Sequence, residues 1–379
     1  MEMLARLIAQ PSVSSVSPEF DMGNLALIEE LAGWCEAAGF HCEMTLLEQS
    51  PPKANLVATL GQGTGGLVLA GHTDTVPYDD TLWRHDPFRL VERDNRLYGL
   101  GTCDMKSFLA LVLEAARGFD PADFRQPLIL LATADEESSM CGAKALAEAG
   151  RRFGRHAVIG EPTGLRPVRM HKGVMMEGIR VTGHSGHSSD PRLGNNAIEG
   201  MHRVLGELLR WREALQASHH NPAFEVAGPT LNLGRLHGGD NPNRICACCD
   251  LHIDIRPLPG MALDELRETM ERRLRDVLAE TGLGLETYRL FEGIPAVETP
   301  ADAPLVQAVE RLTGQTAGAV AFGTEAPYLR QLGMDVVVLG PGDIAQAHQP
   351  DEYLALDRIT PTLELLRALI RTFCLSPER

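Results

Sequence analysis

Apolar and polar positions along the chain follow two rhythms. From the start to about residue 174, short unbroken apolar runs alternate with stretches of helical period. The runs "NLVATLG", "GLVLAGHTD", "PLILLATADEE" and "HAVIGEPT" have the length and continuity of strands covered on both faces. Between them, Leu25–Ala38, Ser107–Ala116 and "GAKALAEAG" read as helices. Strands alternating with helices predict βαβ units, hence an α/β fold with a mixed, mainly parallel sheet flanked by helices.

From about Met175 the pattern changes. The segments "MMEGIRVTGHSGHSS", "TLNLGRLHGG", "RICACCDLHIDIRPLP" and "GLETYRLF" read as antiparallel strands, and Asn196–Trp211 and Leu263–Glu280 as two helices among them. After Pro300 the first rhythm returns, with a helix over Ala303–Leu312, the strand "MDVVVLG" and a closing helix over Pro361–Cys374. The expected organisation is a discontinuous domain of residues 1–174 and 288–379, with a compact α+β domain of residues 175–287 inserted into it. No internal repeat or low-complexity linker interrupts this pattern.

Composition narrows the function classes. With 379 residues, 44% hydrophobic and 23% charged, the chain has enough apolar surface for two or three domains. The opening "MEMLARLIAQPSVSS" has neither the basic start nor the apolar core of a signal peptide, and no apolar run approaches the roughly 20 residues that span a bilayer. Eight scattered cysteines in a chain of this length suit reduced thiols, so a cytoplasmic protein is expected. A net charge of −16 speaks against nucleic acid as a partner. Small molecules and metal cations remain open.

The chemistry sits where the strand-like runs stop. His72-Thr73-Asp74, Asp135-Glu136-Glu137 and Glu161 each follow an apolar run, Cys103-Asp104-Met105 precedes a helix, and "GPGDIAQAHQPDEY" brings His348 after "MDVVVLG". Parallel strands end on one edge of their sheet, where distant segments converge. Any one segment alone reads as a core histidine or the acidic start of a helix. Together they offer imidazole and carboxylate donors without paired cysteines, a set that suits Zn²⁺, Co²⁺ or Mn²⁺, and a shared carboxylate would make the site dinuclear. Asp74, two residues after His72, can fix the imidazole tautomer. Adjacent Glu136 and Glu137 diverge at a strand end, so one can ligate while the other handles a proton. Cys246, Cys248 and Cys249 read as small hydrophobes on a strand, and Cys103 as packing beside Asp104.

These residues resemble a known family. The motifs "GHTDTVP", "YGLGTCDMK", "ATADEE", "GEPT" and "GHSGHSSDP", with the late His348, are those of the di-zinc aminoacylase and carboxypeptidase family. The segments "NRICACC", "DIRPLPGM", "FGTEAPY" and "AHQPDEY" are similar to the acetylornithine deacetylases within it. The resemblance implies a zinc-peptidase-like catalytic domain and an inserted lid and dimerisation domain. It implies His72, Asp104 and Glu161 on one metal and Asp104, Glu137 and His348 on the other, with two zinc ions most expected and cobalt also supporting activity. Glu136 is then the general base, and Asp74 supports His72. From the inserted domain His187 would stabilise the tetrahedral intermediate, acting in the neighbouring subunit of a homodimer, while Asn243 and Arg256 would bind substrate carboxylate or oxyanion.

The implied activity is removal of acetyl from N2-acetylornithine in arginine biosynthesis. Related alternatives are an N-acetylcitrulline deacetylase, a succinyl-diaminopimelate desuccinylase or a broad aminoacylase; a metal-binding protein without turnover is the alternative from another class. One position departs from the family pattern: Ser107 stands where glycine is expected.

Overall fold

Apolar runs become strands and helices fill the intervals in the computed structural model, which describes residues 1–375 and only the main chain of Gln49. In chain order the first stretch forms α1 (Glu2–Ile8), α2 (Leu25–Ala37), β1 (His41–Gln49), β2 (Pro52–Leu60), β3 (Leu67–His72), β4 (Val91–Arg93), β5 (Arg96–Tyr98), α3 (Lys106–Ala116), β6 (Leu128–Thr133), α4 (Cys141–Ala149), β7 (His156–Ile159) and β8 (Val168–His171). The middle stretch forms β9 (Met175–Thr182), α5 (Ala197–Ser218), β10 (Thr230–Gly238), β11 (Cys248–Arg256), α6 (Leu263–Leu278), β12 (Gly284–Arg289) and β13 (Val297–Glu298). The last forms α7 (Pro304–Thr313), β14 (Gly318–Val320), α8 (Ala326–Gln331), β15 (Asp335–Val338), β16 (Tyr353–Ala355) and α9 (Ile359–Ile370).

The chain divides into two compact units. The first comprises Met1–Arg169, Thr299–Gly318 and the chain from Thr324 onward; the second comprises Met170–Glu298 and Ala319–Gly323. The second unit is wider than residues 175–287 because its connectors pair within it: His171 with Val297, Val174 with Ile294, and Lys172 N–H with the Val320 carbonyl.

In the first unit the sheet runs β1-β2-β6-β3-β7-β15. β3 is parallel to both neighbours, with Leu69 opposite Leu130 and Val158, and β15 is parallel to β7. These central strands are buried along nearly their whole length, which is why they read as continuous apolar runs. α3 packs against β3, β6, α1 and α9, and its Leu109 and Leu113 join Leu69 and Leu130 in the core. "NLVATLG" is antiparallel to β1 and β6, so the sheet is mixed, as expected. Only Ser50 and Pro51 separate β1 from β2, and so tight a connection forces antiparallel pairing. β1 escaped the pattern because it is an edge strand with Met44 and Leu46 half exposed. α9 starts two residues before Pro361, which the first helical turn tolerates. Ser107 lies buried in α3 with no hydrogen-bond partner for its hydroxyl among the described residues, so the departure from glycine touches packing alone.

The second unit is an antiparallel sheet, β10-β11-β9-β12, with α5 and α6 packed on it. Cys249, Leu251, Ile253 and Ile255 alternate inward from β11 to meet Met201, Val204, Leu208 and Trp211 of α5 and Leu266, Met270 and Leu274 of α6. Cys249 therefore packs as a small hydrophobe. Among the described residues no helix is long and apolar enough to cross a membrane.

Candidate metal centre

The parallel strands of the first unit end along one edge, and each hands a polar side chain to it. β3 ends at His72 and runs into Asp74; β6 ends at Thr133 and turns through Asp135, Glu136 and Glu137. β7 is followed by Gly160 and Glu161, and β15 leads into the loop carrying His348. Asp104 arrives from the loop between β5 and α3. Glu161 also depends on its predecessor, because a Cβ on Gly160 would lie 2.0 Å from the Phe108 ring.

Asp104 joins the two imidazoles. Its Oδ1 is 3.0 Å from His72 Nε2 and its Oδ2 is 3.6 Å from His348 Nε2. His348 Nε2 also meets Glu137 Oε1 at 3.0 Å, and His72 Nε2 lies 4.0 Å from Glu161 Oε1. Donor atoms of His72, Asp104 and Glu137 lie within 4.8 Å of one another, as do those of His72, Glu136 and Glu161. Glu136, expected as an unligated base, thus lies within 4.8 Å of the donor atoms of His72 and Glu161.

Charge compensation inside this cluster is uneven. Burial opposes protonation of His72, but the bond to Asp104 and the charges of Asp74 and Glu161 outweigh it and hold its pKa well above the ordinary histidine range. Burial would raise the Asp104 carboxyl; its contacts with His348 and His72 instead hold it well below the usual range. Bonds to Asp104 and Glu137 push His348 up to about 10. Glu136 and Glu161 have no such bonded partner among the described residues. Burial, reinforced by Glu161, holds Glu136 well above the usual glutamate range, and burial, reinforced by Asp104, does the same to Glu161. Glu161 Oε1 is buried without a hydrogen-bond partner among the described residues. Crowded buried carboxyls, an orphaned oxygen and two imidazoles form a donor set that fits divalent cations with nitrogen and oxygen preferences. The Cys103 thiol turns away to the Asp343 carbonyl at 3.3 Å.

Carboxylates also hold the loops that carry these donors. The Asp74 carboxylate lies 3.7 Å from His72 Nδ1, whereas that nitrogen meets the Asp74 carbonyl oxygen at 3.0 Å. The His72 ring is therefore oriented by the main chain. Asp74 Oδ1 and Oδ2 accept from Glu136 N–H at 3.2 Å and Glu137 N–H at 3.0 Å, fixing the turn where the two glutamates diverge. Asp135 opens that turn with φ 56° and is clamped by Lys53, whose ammonium bridges it at 2.6 Å to Asp21 at 2.7 Å.

Two acids in this neighbourhood received no role from the sequence. Glu352 is buried, and its Oε1 accepts from the N–H groups of Gly101, Cys103 and Asp104 at 3.1, 2.7 and 3.0 Å. Glu325 is buried, and burial pushes its pKa up to about 7 against the nearby Thr133 hydroxyl and the charge of His72. Both stand in quoted motifs, "AHQPDEY" and "FGTEAPY", so the available signal was an acid beside residues already singled out.

His187, Asn243 and Arg256 belong to the second unit. Ser188 N–H donates to the Asn243 carbonyl at 3.1 Å and His187 bridges to Arg244, so the His187 and Asn243 segments run side by side. His187 is exposed, its Nδ1 2.7 Å from Ser189 Oγ. Arg256 donates to both oxygens of Asp254, at 2.8 and 3.0 Å.

Residues 68–372 match the model of peptidase family M20/M25/M40. The chain belongs to this family. It is 51% identical over 97% of its length to acetylornithine deacetylase of Edwardsiella ictaluri (strain 93-146), 96% of which is covered. It is 50% identical over 99% of its length to acetylornithine deacetylase of Klebsiella pneumoniae (strain 342), 97% of which is covered. Among solved structures, the fold matches aminopeptidase PepT from Bacillus cereus with a TM-score of 0.76 at 19% identity, covering 97% of this chain and 96% of that one. It matches the Bacillus subtilis YXEP protein, a dinuclear metal binding peptidase from the M20 family, with a TM-score of 0.68 at 17% identity, covering 97% and 96%. The M20 fold thus carries the strand-end cluster on its sheet edge.

The contacts of Asp74 generate a stability prediction for the metal-free protein. Asp74→Ala strands two main-chain N–H groups at about 1–3 kcal/mol each, so a loss on the order of 2–6 kcal/mol is expected in urea unfolding. Asp74→Asn keeps an oxygen acceptor and removes a charge from among the acids, and should cost less. An alanine variant as stable as the asparagine variant would contradict this role.

Proposed function

We propose that this M20 protein is a metal-dependent amidohydrolase that removes the acetyl group from N2-acetyl-L-ornithine, giving L-ornithine and acetate in arginine biosynthesis. The observation that carries this is identity of 51% over 97% of the chain to a relative named acetylornithine deacetylase. The ligand sets are His72, Asp104 and Glu161 for one ion and Asp104, Glu137 and His348 for the other, with Zn²⁺ the first candidate and Co²⁺ a working substitute. Two divalent cations, when bound, polarise the amide carbonyl and acidify water.

Around them the protein's own groups move the protons. Glu136 takes a proton from the attacking water as the C–O bond forms, and delivers it to the amine nitrogen as the C–N bond breaks. Its buried setting beside Glu161 makes it a stronger base than a solvated glutamate, which suits a group that holds a proton between two transfers. His187 stabilises the oxyanion, and Asn243 and Arg256 hold the substrate carboxylate, for which Arg256 must loosen its pairing with Asp254. The cysteines are all free, which supports a reducing, cytoplasmic setting.

A homodimer through the second unit, with His187 acting in the partner's site, completes the proposal. β10 is an edge strand nine residues long, with Leu236 exposed on it and Ile198 exposed on α5; such an edge invites pairing with a second copy.

Two measurements test the proposal. In a panel of N-acyl amino acids, N2-acetylornithine is expected to give a higher kcat/KM than N-succinyl-diaminopimelate, N-acetylcitrulline or acetylated apolar amino acids; a different substrate ranked first would overturn the assignment. Glu136→Ala and His187→Ala should each keep metal, with Glu136→Ala losing about 10²–10⁴-fold and His187→Ala about 10²–10³-fold in kcat. Mixed in equal amounts and allowed to reassort, half of the dimers would carry one intact site, so activity should return to about a quarter of wild type. Mixtures that reassort, as followed by a tag, yet stay at the single-variant level would refute the crossing of His187 between subunits.

A further inference from the structure

We propose that Glu352 is the positioning residue for Asp104, setting the loop from which one carboxylate reaches both His72 and His348. The inference rests on Asp104 as the shared metal ligand. The loop between β5 and α3 has no sheet partner to hold it, and it turns through Gly99 and Gly101, both at positive φ (151° and 89°). Glu352 supplies what the sheet does not. One carboxylate oxygen gathers the N–H groups of Gly101, Cys103 and Asp104, while the Glu352 carbonyl accepts from Gly99 N–H at 3.1 Å and from the Thr102 hydroxyl at 3.4 Å.

The loop is therefore gripped by one residue along its length. Three main-chain N–H groups on one carboxyl oxygen leave the Asp104 main chain little freedom. Glu352 is held in turn. It precedes β16, whose Tyr353 pairs with Tyr98 of β5, immediately before the gripped loop. It also follows His348 by four residues, so one short segment presents an imidazole to Asp104 and fixes where Asp104 stands. Misplacing Glu352 would disturb both ligand sets, because Asp104 belongs to both.

Three variants separate this role from a general contribution to charge or stability. Glu352→Ala removes the acceptor. Glu352→Gln keeps an oxygen in place without the charge, and Glu352→Asp keeps the charge but withdraws the oxygen by about 1.5 Å, one carbon–carbon bond. Zinc affinity by chelator competition and the visible spectrum of the Co²⁺ protein are the readouts. Supporting groups around metal ligands are typically worth 10–100-fold in affinity, so Glu352→Ala should bind Zn²⁺ about 10–100-fold more weakly with an altered Co²⁺ spectrum. Its kcat should fall with KM little changed, because Asp104 does not bind substrate. Glu352→Gln should retain more affinity and a more native spectrum than Glu352→Asp.

An aspartate variant equal to or better than the glutamine variant would overturn the proposal. So would affinities within twofold of wild type in every folded variant. Should Glu352→Ala fail to fold, the Gln and Asp variants decide. Failure of the underlying metal reading looks different: the wild-type protein would bind no Zn²⁺ or Co²⁺, or Asp104→Ala would bind them undiminished.

Discussion

Negative charge buried along the carboxyl edge of a parallel sheet is the constraint on which the rest of this structure depends. Asp74, Asp104, Glu136, Glu161, Glu325 and Glu352 are all buried in the first unit, and an ionised carboxylate out of water is costly unless something compensates it. The compensation is divided by type. Asp104 is offset by two imidazoles and Asp135 by the buried ammonium of Lys53. Main-chain N–H groups bind Asp74 and Glu352 without offsetting burial, which still pushes Asp74 up to about 6 and Glu352 up to about 8. Glu136, Glu161 and Glu325 have no comparable partner, and burial pushes all three upward. A surplus of acid beside two imidazoles is what a pair of dications would neutralise. Their entry would displace protons from the imidazoles and carboxyls, so metal uptake and pH are coupled in this site.

The same acids give the edge its shape. Strand ends alone do not fix side-chain positions to the tolerance that metal ligation requires, since the residues beyond them lie in loops. Here Asp74 on one loop holds the turn of Glu136 and Glu137, and Glu352 on another holds the loop of Asp104. The Glu136–Glu137 turn and the Asp104 loop are thus each tied to a neighbouring segment by a carboxyl acceptor. Lys106, fully buried at the start of α3, holds that helix to the chain start by donating to the carbonyls of Leu7 and Gln10. Burial pulls its pKa down to about 7, against the charges of Asp74 and Glu352.

Much of this was legible in the sequence for a physical reason. His72, Glu136, Glu137, Glu161 and His348 each follow an apolar run, and a run covered on both faces must stop where polar side chains begin. The direction of a strand leaves no such mark, so the pattern showed a mixed sheet without showing that β2 is one of its antiparallel strands. The roles of Glu352 and Glu325 were hidden for a different reason: an acid that binds main-chain N–H groups, or is merely buried, looks in sequence like any exposed glutamate. Asp74 was singled out correctly as a residue near His72, yet its carboxylate serves the glutamate turn, since i, i+2 spacing says which side chains are near and not which hydrogen bonds they form.

The central claim is that Asp104 stands between two cations, and diffraction from crystals of the Zn²⁺-reconstituted protein at the zinc absorption edge tests it most directly. Two anomalous peaks about 3.5–4 Å apart are expected, with the Asp104 carboxylate between them. His72 and Glu161 should reach one, and Glu137 and His348 the other. A single peak, or two peaks that do not share Asp104, would contradict it.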